Sequence, residues 1–496
     1  MIEKSIFEYF ETYAAECGGN LFLFDEDRRY TVEETFREAI AIGNRLYDRG
    51  VRSGSLVALR CTRSLDAFLI YLGLEFMGAT AVLTGPHQTV ADFFRDIGVS
   101  MEPQLVITNE AAAQGISANG NWEILGHGPL DIGYPARTED RRFPMGTDLR
   151  SPSTIVFTSG STGKGKGAML SQEAILQYAE DSVVQPWHHP DDIAIVTLPT
   201  QHGFALCLLS AAIVARYALF FPRDMATDYI LECIEKYRIT RINGVPSYML
   251  VLAYAAEVHG RDISSLRSGF TAGAPIIPEQ HRYIEETLGM TLHPLYGMSE
   301  SISISCTAPT DSAHHRATTV GKFHRNAGSI VGPDGKELPQ GQEGEICVSG
   351  PSILCGYYGD PEATAQTIDA QGRLHTGDLG YIDDEGYVHI SGRIKDIIIR
   401  NGVNLSPAKI EAAIRQIPGV ENAVVVGLRH EVLGEAPYAL VVLRSGVEMT
   451  AERLAEELLS RIPKNHIPLA FRFAAEIPLN KIGKPDKHAV KKQFQE

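Results

Sequence analysis

The sequence predicts an α/β protein: a large N-terminal domain of layered α/β subdomains ending in a β-subdomain, then a small C-terminal α+β domain. Three observations carry this. Short β-rich runs alternate with helical patterns over the first three hundred or so positions, which favours largely parallel sheets covered by helices. From Gly321 the chain changes to short strands and turns. At 496 residues it also exceeds the length at which one core stops growing, about 250–300 residues, so several domains are expected.

The elements follow in chain order. Ile2, Ile6, Tyr9, Phe10 and Tyr13 recur at helical spacing in an acidic N-terminus with no central apolar block, so an amphipathic helix is expected there and not a signal peptide. Val32 to Arg49 and Ala226 to Tyr237 read as helices, whereas Leu56–Leu59, Gln104–Thr108 and Ala194–Leu198 read as strands. Gly203 to Phe221 approaches membrane-spanning length, but Arg216 interrupts it and Ser210 dilutes it, so a buried helix followed by a strand is expected. In the β-rich part, Pro333-Asp334-Gly335, Pro339-Gln340-Gly341 and Asp383 to Gly386 mark turns. Ser406 before Pro407 predicts a helix start, since a hydroxyl can cap and proline tolerates the first helical position. With the strand Ala423–Val426, roughly the last hundred residues read as a compact βαβ-type unit.

Charge and cysteines narrow the function classes. With 45 Lys+Arg against 61 Asp+Glu the net charge is −16, which excludes a general polyanion-binding surface such as a nucleic-acid groove. The seven cysteines show no C-x-x-C spacing and lie mostly in apolar segments, as expected of reduced thiols in a cytoplasmic protein.

The most informative segment is Thr158 to Gly167, TSGSTGKGKG, directly after the apolar run Thr154–Phe157. Its glycines allow close backbone approach to oxyanions, and Thr158, Ser159, Ser161, Thr162 and Lys166 add donors and charge, with Gly160 and Gly163 between them. A P-loop would have the same composition, but Gly167 occupies the position where a magnesium-binding hydroxyl is required.

Four further segments carry polar groups. Tyr296-Gly297-Met298-Ser299-Glu300-Ser301 offers a carboxylate for Mg²⁺, against the plainer reading of a turn with a solvated glutamate. Thr376-Gly377-Asp378 presents a carboxylate able to accept from both ribose hydroxyls, with Arg393 as a second ribose or phosphate contact. Gly273-Ala274-Pro275 is small enough for a planar ring to lie against backbone. Pro478 to Lys487 is rich in lysine, which by composition alone reads as a solvated tail.

Taken together and in this order, the segments resemble the motifs of the acyl-adenylate-forming superfamily, with its acyl-CoA synthetases, adenylation domains and beetle luciferases. Thr158 to Gly167 is similar to the family's TSGSTGxPKG loop, with Gly165 for proline. Leu198 to His202 is similar to LPxFH with Gln201 for the aromatic, and Tyr296 to Glu300 to YGxTE with Ser299 for threonine. Thr376-Gly377-Asp378 matches TGD, Gly392 to Asp396 resembles GRxKD, Gly402 to Glu411 the following G…PxxIE, and Gly483-Lys484 the terminal GK.

The resemblance implies an AMP-forming acid–thiol ligase that uses ATP, Mg²⁺ and coenzyme A, or the phosphopantetheine of a carrier protein. It implies an adenylation domain over residues 1–392, a hinge at 393–396 centred on Lys395, and a mobile C-terminal domain over 397–496 carrying the catalytic Lys484, with Lys481 and Lys487 as rival lysines. In the nucleotide site it implies phosphate contacts from Thr158 to Lys166, Mg²⁺ on Glu300, adenine between Tyr296 and Gly273–Pro275, ribose on Asp378 and Arg393, and further contacts from Gly297, Ser299 and Ile390. Gly402 would line the thiol path, and His202, Phe204, Asn243, Tyr248, Thr271, Gly297 and Ile304 the acid pocket. No acid lies in Gln201-His202-Gly203-Phe204 to pair an ammonium, so an aryl or medium-sized acid is expected in place of an α-amino acid. Neither nucleic acid nor a membrane span enters this picture. A P-loop NTPase and a catalytically idle nucleotide-binding homologue are the alternatives from other classes.

Overall fold

The computed structural model describes residues 2–60, 65–85, 94, 101, 103–108, 122–124, 141–144, 148–158, 165–185, 187–324, 327–479 and 485–495. The chain forms two compact units, Met1–Gly328 with Val348–Leu374, and Ser329–Cys347 with His375–Glu496.

The first unit is built on two large sheets. One has nine strands in the order Lys322–Phe323, Ser301–Cys306, Thr291–Met298, Ser268–Thr271, Arg241–Ile242, Ile193–Ile195, Ala218–Phe220, Leu21–Phe24, Arg29–Thr31. Its centre, from Thr291–Met298 to Leu21–Phe24, is wholly parallel. The other has seven strands in the order Gly356–Tyr357, Lys166–Ser171, Pro152–Thr158, Thr80–Thr84, Leu56–Arg60, Leu105–Thr108, Trp122–Ile124. There the two strands flanking the glycine-rich loop are antiparallel, the edge strand Gly356–Tyr357 is antiparallel to Lys166–Ser171, and the remaining pairs are parallel.

The first two helices are capped by hydroxyl side chains just before their starts. Ser5 caps Ile6–Cys17 in a reciprocal box with Glu8, and Thr31 caps Val32–Asp48 in the same way with Glu34. Phe7 and Phe10 of the first helix meet Phe36 and Phe76 at centroid distances of 5.1–6.0 Å, so the aromatic positions fix this helix against two others. Gly203 to Phe221 resolves into the buried helix Gly203–Val214 and the strand Ala218–Phe220. Among the described residues no helix is long and apolar enough to cross a membrane. The strand expected over Ala194–Leu198 is shorter, Ile193–Ile195: Pro199 has no N–H to extend a ladder, and the Thr197 hydroxyl bonds the Asn243 carbonyl instead.

The second unit holds most of a four-stranded sheet, Ala327–Val331, Gly344–Ser349, Leu374–Ile382 and Val388–Arg393. It also holds a five-stranded sheet in which Ala470–Ala474 lies parallel to Gly434–Leu443, reached through the helix Ala451–Leu459. That crossover is a βαβ element, but not on the segments expected from the sequence: the strand read at Ala423–Val426 lies in Val420–His430, which runs antiparallel to Gly434–Leu443. Ser406 caps Pro407–Arg415, whose Ile410 and Ile414 are fully buried with Val425, Val441, Leu454 and Leu458.

Candidate active site

Parallel α/β sheets bind ligands beyond the carboxyl ends of their strands, because loops there are free to vary over a rigid base. In the nine-stranded sheet, four neighbouring strands end at segments singled out in the sequence. Ile193–Ile195 leads to His202, Arg241–Ile242 to Asn243, Ser268–Thr271 to Gly273, and Thr291–Met298 to Glu300. Residues scattered over a hundred positions thus share one edge.

Local chemistry shapes each of them. Gly297 sits in a bulge between Tyr296 and Met298, and a Cβ there would come 2.6 Å from the Ile302 carbonyl oxygen, so only glycine fits. Beyond the bulge Met298 pairs with Ser301, which leaves Glu300 in the hairpin turn at 8% exposure, as buried as Tyr296. Tyr357 donates its hydroxyl to Glu300 Oε1 at 2.6 Å. Burial, reinforced by the Glu300 charge, pushes the Tyr357 phenol far above its ordinary range, so it remains a donor.

The glycine-rich loop is a hairpin excursion closed at its base. Thr158 pairs with Lys166 across the two strands, and the Lys166 amide donates to Thr158 Oγ1 at 3.3 Å. Lys166 Nζ lies 4.8 Å from the Tyr357 ring centroid, so Lys166 and Glu300 contact one tyrosine. Ser159, Gly160, Ser161, Thr162 and Gly163 lie outside the described residues. The strand leading into the loop is anchored by a group the sequence did not flag: Thr154 donates to the fully buried Glu75 at 2.8 Å. Desolvation pushes the Glu75 carboxyl up from its usual value, which favours the protonated form.

Of the expected acid-pocket residues, His202 is the N-cap residue of Gly203–Val214 with no side-chain cap bond, and its neighbour Gly203 packs directly on Ile302, two residues from the fully buried Ile304. Asn243 Oδ1 accepts from the Phe270 amide at 2.9 Å, so this oxygen is committed to joining two parallel strands. Gly244 bridges to Thr271 and lies close to the Tyr248 ring. The Thr271 hydroxyl is buried with no partner among the described residues. Phe204 is half-buried on the first turn of the same helix. Gly273 adopts φ +85° at an exposed turn, with Ala274 and Pro275 following.

In the second unit, Asp378 and Arg393 face each other across paired strands, with Arg393 Nε 2.8 Å from Asp378 Oδ1. The carboxylate is nearly buried and the guanidinium half-exposed, so the pair presents a partly open edge. Thr376 Oγ1 donates to the Ile346 carbonyl at 2.7 Å and accepts from the Asp378 amide at 3.1 Å. Gly377, at φ +71°, donates its amide to Glu345 Oε1 at 2.9 Å, and Glu345 Oε2 pairs with His375 Nδ1 at 2.7 Å. Glu345 and His375 therefore hold the turn, and sequence reasoning missed both. Their only signal is adjacency to the motif for His375, and for Glu345 none that a single sequence exposes.

Ile390 is 41% exposed, and Lys395 lies exposed in the short turn Ile394–Asp396. Asp396 Oδ2 is 2.7 Å from Lys487 Nζ, so the rival lysine at 487 is committed to an ion pair. Gly402, at φ +76°, makes the exposed turn between Ile398–Arg400 and Val403–Leu405. Lys481 and Lys484 lie outside the described residues, between Leu479 and Pro485, which bridge one another.

Comparison with known proteins accords with this arrangement. The family model described as AMP-binding enzyme matches residues 10–358, and that of the AMP-binding enzyme C-terminal domain matches residues 409–484. A feruloyl-CoA synthase from Amycolatopsis is 30% identical over 480 residues, covering 94% of each chain. A sulfoacetate–CoA ligase from Cupriavidus necator is 32% identical over 336 residues, 67% of this chain and 65% of the ligase. Among solved structures, ATP-bound MatB from Rhodopseudomonas palustris superimposes with a TM-score of 0.89 at 27% identity over 99% of both chains. The chain belongs to the AMP-binding enzyme family, and within its acyl-adenylate-forming superfamily it is an AMP-forming acid–thiol ligase.

Proposed function

We propose that the protein couples ATP and an aryl or medium-sized carboxylic acid to an acyl-adenylate, releasing pyrophosphate, and then passes the acyl group to coenzyme A. The observation that carries the proposal is the grouping of Glu300, Tyr357 and Lys166 at the base of the glycine-rich loop. A carboxylate is a poor electrophile; forming a mixed anhydride with AMP makes thiol attack easy.

Each residue has a role by type. Thr158 and Lys166, with Ser159 to Gly163, hold the β- and γ-phosphates, and Tyr296 with Gly273, Ala274 and Pro275 flanks adenine. Asp378 and Arg393 take the ribose hydroxyls, with Gly297, Ser299 and Ile390 as further nucleotide contacts. Glu300 fits a hard cation: one carboxylate oxygen accepts from Tyr357, and the other has no hydrogen-bond partner among the described residues. Mg²⁺ bound there would neutralise phosphate charge. Lys484 bridges the substrate carboxylate and the α-phosphate, countering the charge that grows in the transition state, and His202 orients the acid.

The domain assignment, 1–392 and 397–496 with Lys395 as hinge and Gly402 on the thiol path, belongs to the same proposal. So does a cytoplasmic location, supported by the absence of disulfides among the described cysteines. The relatives, a sulfoacetate–CoA ligase and a feruloyl-CoA synthase, bracket a short sulfonated and an aryl acid. The mixed apolar and polar residues around Phe204 and Thr271 favour the larger class.

The test is a panel of carboxylic acids assayed for pyrophosphate release with coenzyme A, with a phosphopantetheinylated carrier protein, or with neither. An aryl or medium-sized acid is expected to release pyrophosphate, and only coenzyme A to yield a thioester at rate. Turnover confined to the carrier, or to short anionic acids, would overturn the assignment.

A further inference from the structure

We infer that Tyr357 is a positioning residue that holds Glu300 at a fixed place beside the base of the glycine-rich loop and keeps it from pairing with Lys166. The inference rests on the proposed role of Glu300 as the metal carboxylate. It goes beyond that role because it concerns a residue outside all the motifs described above.

The backbone around Tyr357 works as a staple between the two large sheets. On one side, Ile353 bridges to Ser301, the Leu354 amide donates to the Glu300 carbonyl at 2.7 Å, and the Ser352 and Ser301 hydroxyls are 2.7 Å apart. On the other, the Cys355 amide donates to Met169 at 2.7 Å, Tyr357 pairs in register with Ala168, and the Tyr358 amide donates to Gly167 at 2.8 Å. The segment 352–358 thus ties the hairpin carrying Glu300 to the strand that leaves the loop at Lys166.

The side chain completes the link. Its hydroxyl, 2.6 Å from Glu300 Oε1, satisfies one carboxylate oxygen, while its ring lies beneath the Lys166 ammonium. A buried carboxylate near an ammonium is drawn into an ion pair, which would cancel the negative charge a cation needs and the positive charge a phosphate needs. Tyr357 offers each a weaker partner, a hydroxyl for the anion and a π-face for the cation. Both charges then stay available for ligands.

The test uses the full-length protein and measures ATP affinity by calorimetry, with Mg²⁺ and with EDTA, in wild type, Tyr357→Phe, Glu300→Gln and the double variant. Tyr357→Phe is expected to weaken ATP binding roughly tenfold in Mg²⁺, as loss of one hydrogen bond to a charged group does, and to change it less than twofold in EDTA. In the Glu300→Gln background the same substitution is expected to add nothing in Mg²⁺. The ratio of the two affinities is taken within one protein, so a modest loss of stability does not affect it, and melting curves set a temperature at which all four are folded. An unchanged ratio in Tyr357→Phe with a shifted ratio in Glu300→Gln would overturn the role of Tyr357 alone. An unchanged ratio in Glu300→Gln would overturn the metal role of Glu300 and this inference with it.

Discussion

Replacing Glu345 by alanine probes how the second unit holds the Thr376-Gly377-Asp378 turn, whose Asp378 is proposed to take the ribose. Glu345 touches no expected ligand contact; it accepts from the Gly377 amide at 2.9 Å and pairs with His375 at 2.7 Å. A hydrogen bond to a charged group contributes about 1.5–3 kcal/mol, and the Glu345 side chain is 19% exposed, which places these two at the lower end and lets water replace part of them. The net loosening of the turn is about 2 kcal/mol, or roughly thirtyfold in an equilibrium constant. Because Asp378 follows Gly377, the ordering of its carboxylate must then be drawn from ATP binding. The expected result in a pyrophosphate-release assay is an ATP KM raised roughly thirtyfold, with the acid KM at saturating ATP nearly unchanged. Glu345→Gln, which keeps an oxygen for Gly377, is expected to fall in between. An ATP KM for Glu345→Ala within twofold of wild type would refute the reasoning, as would equal rises in both KM values.

Three further outcomes are expected. Lys484→Ala should abolish acid-dependent pyrophosphate exchange while leaving thioester formation from preformed acyl-adenylate largely intact; normal exchange would remove Lys484 from its role. Lys395→Pro should leave adenylate formation within a fewfold of wild type and block thioester formation, because proline fixes φ at the proposed hinge; equal loss of both steps would argue against a hinge. Glu75 is an acid whose folded pKa is raised by burial, so the folded state binds its proton more tightly than the unfolded chain does, and stability falls as pH rises above the unfolded value near 4.5. Glu75→Gln should abolish that decline, so its unfolding free energy relative to wild type should increase between pH 5 and pH 8 in denaturant titrations; a pH-independent difference would show that Glu75 does not carry the proton.

The fold was legible where one local signal dominates. The helical spacing of Ile6, Phe10 and Tyr13 marks the first helix, and Ser406 before Pro407 marks the start of Pro407–Arg415, by local signals that need no tertiary partner. Arg216 splits the apolar run from Gly203 to Phe221 just where the helix gives way to a strand. The candidate site was legible in its motifs and not in its supports. Glu75, Glu345 and Tyr357 act on groups far along the chain, Thr154, Gly377 and Glu300, and each sits in an ordinary strand or helix pattern. No periodicity or spacing reports such pairings; they emerge only when tertiary packing brings distant segments together. The Ala194–Leu198 strand was overestimated for a related reason, since Thr197 leaves the ladder to bond Asn243, a partner the sequence does not reveal.

On the proposed mechanism the chain makes an acyl-adenylate before any thiol is engaged. Isotope exchange between pyrophosphate and ATP, measured with a carboxylic acid of the proposed class and no coenzyme A, tests it most directly. Exchange is expected to depend on both the acid and Mg²⁺, with AMP and not ADP formed when coenzyme A is then added. Exchange without acid, or release of ADP and orthophosphate, would contradict it.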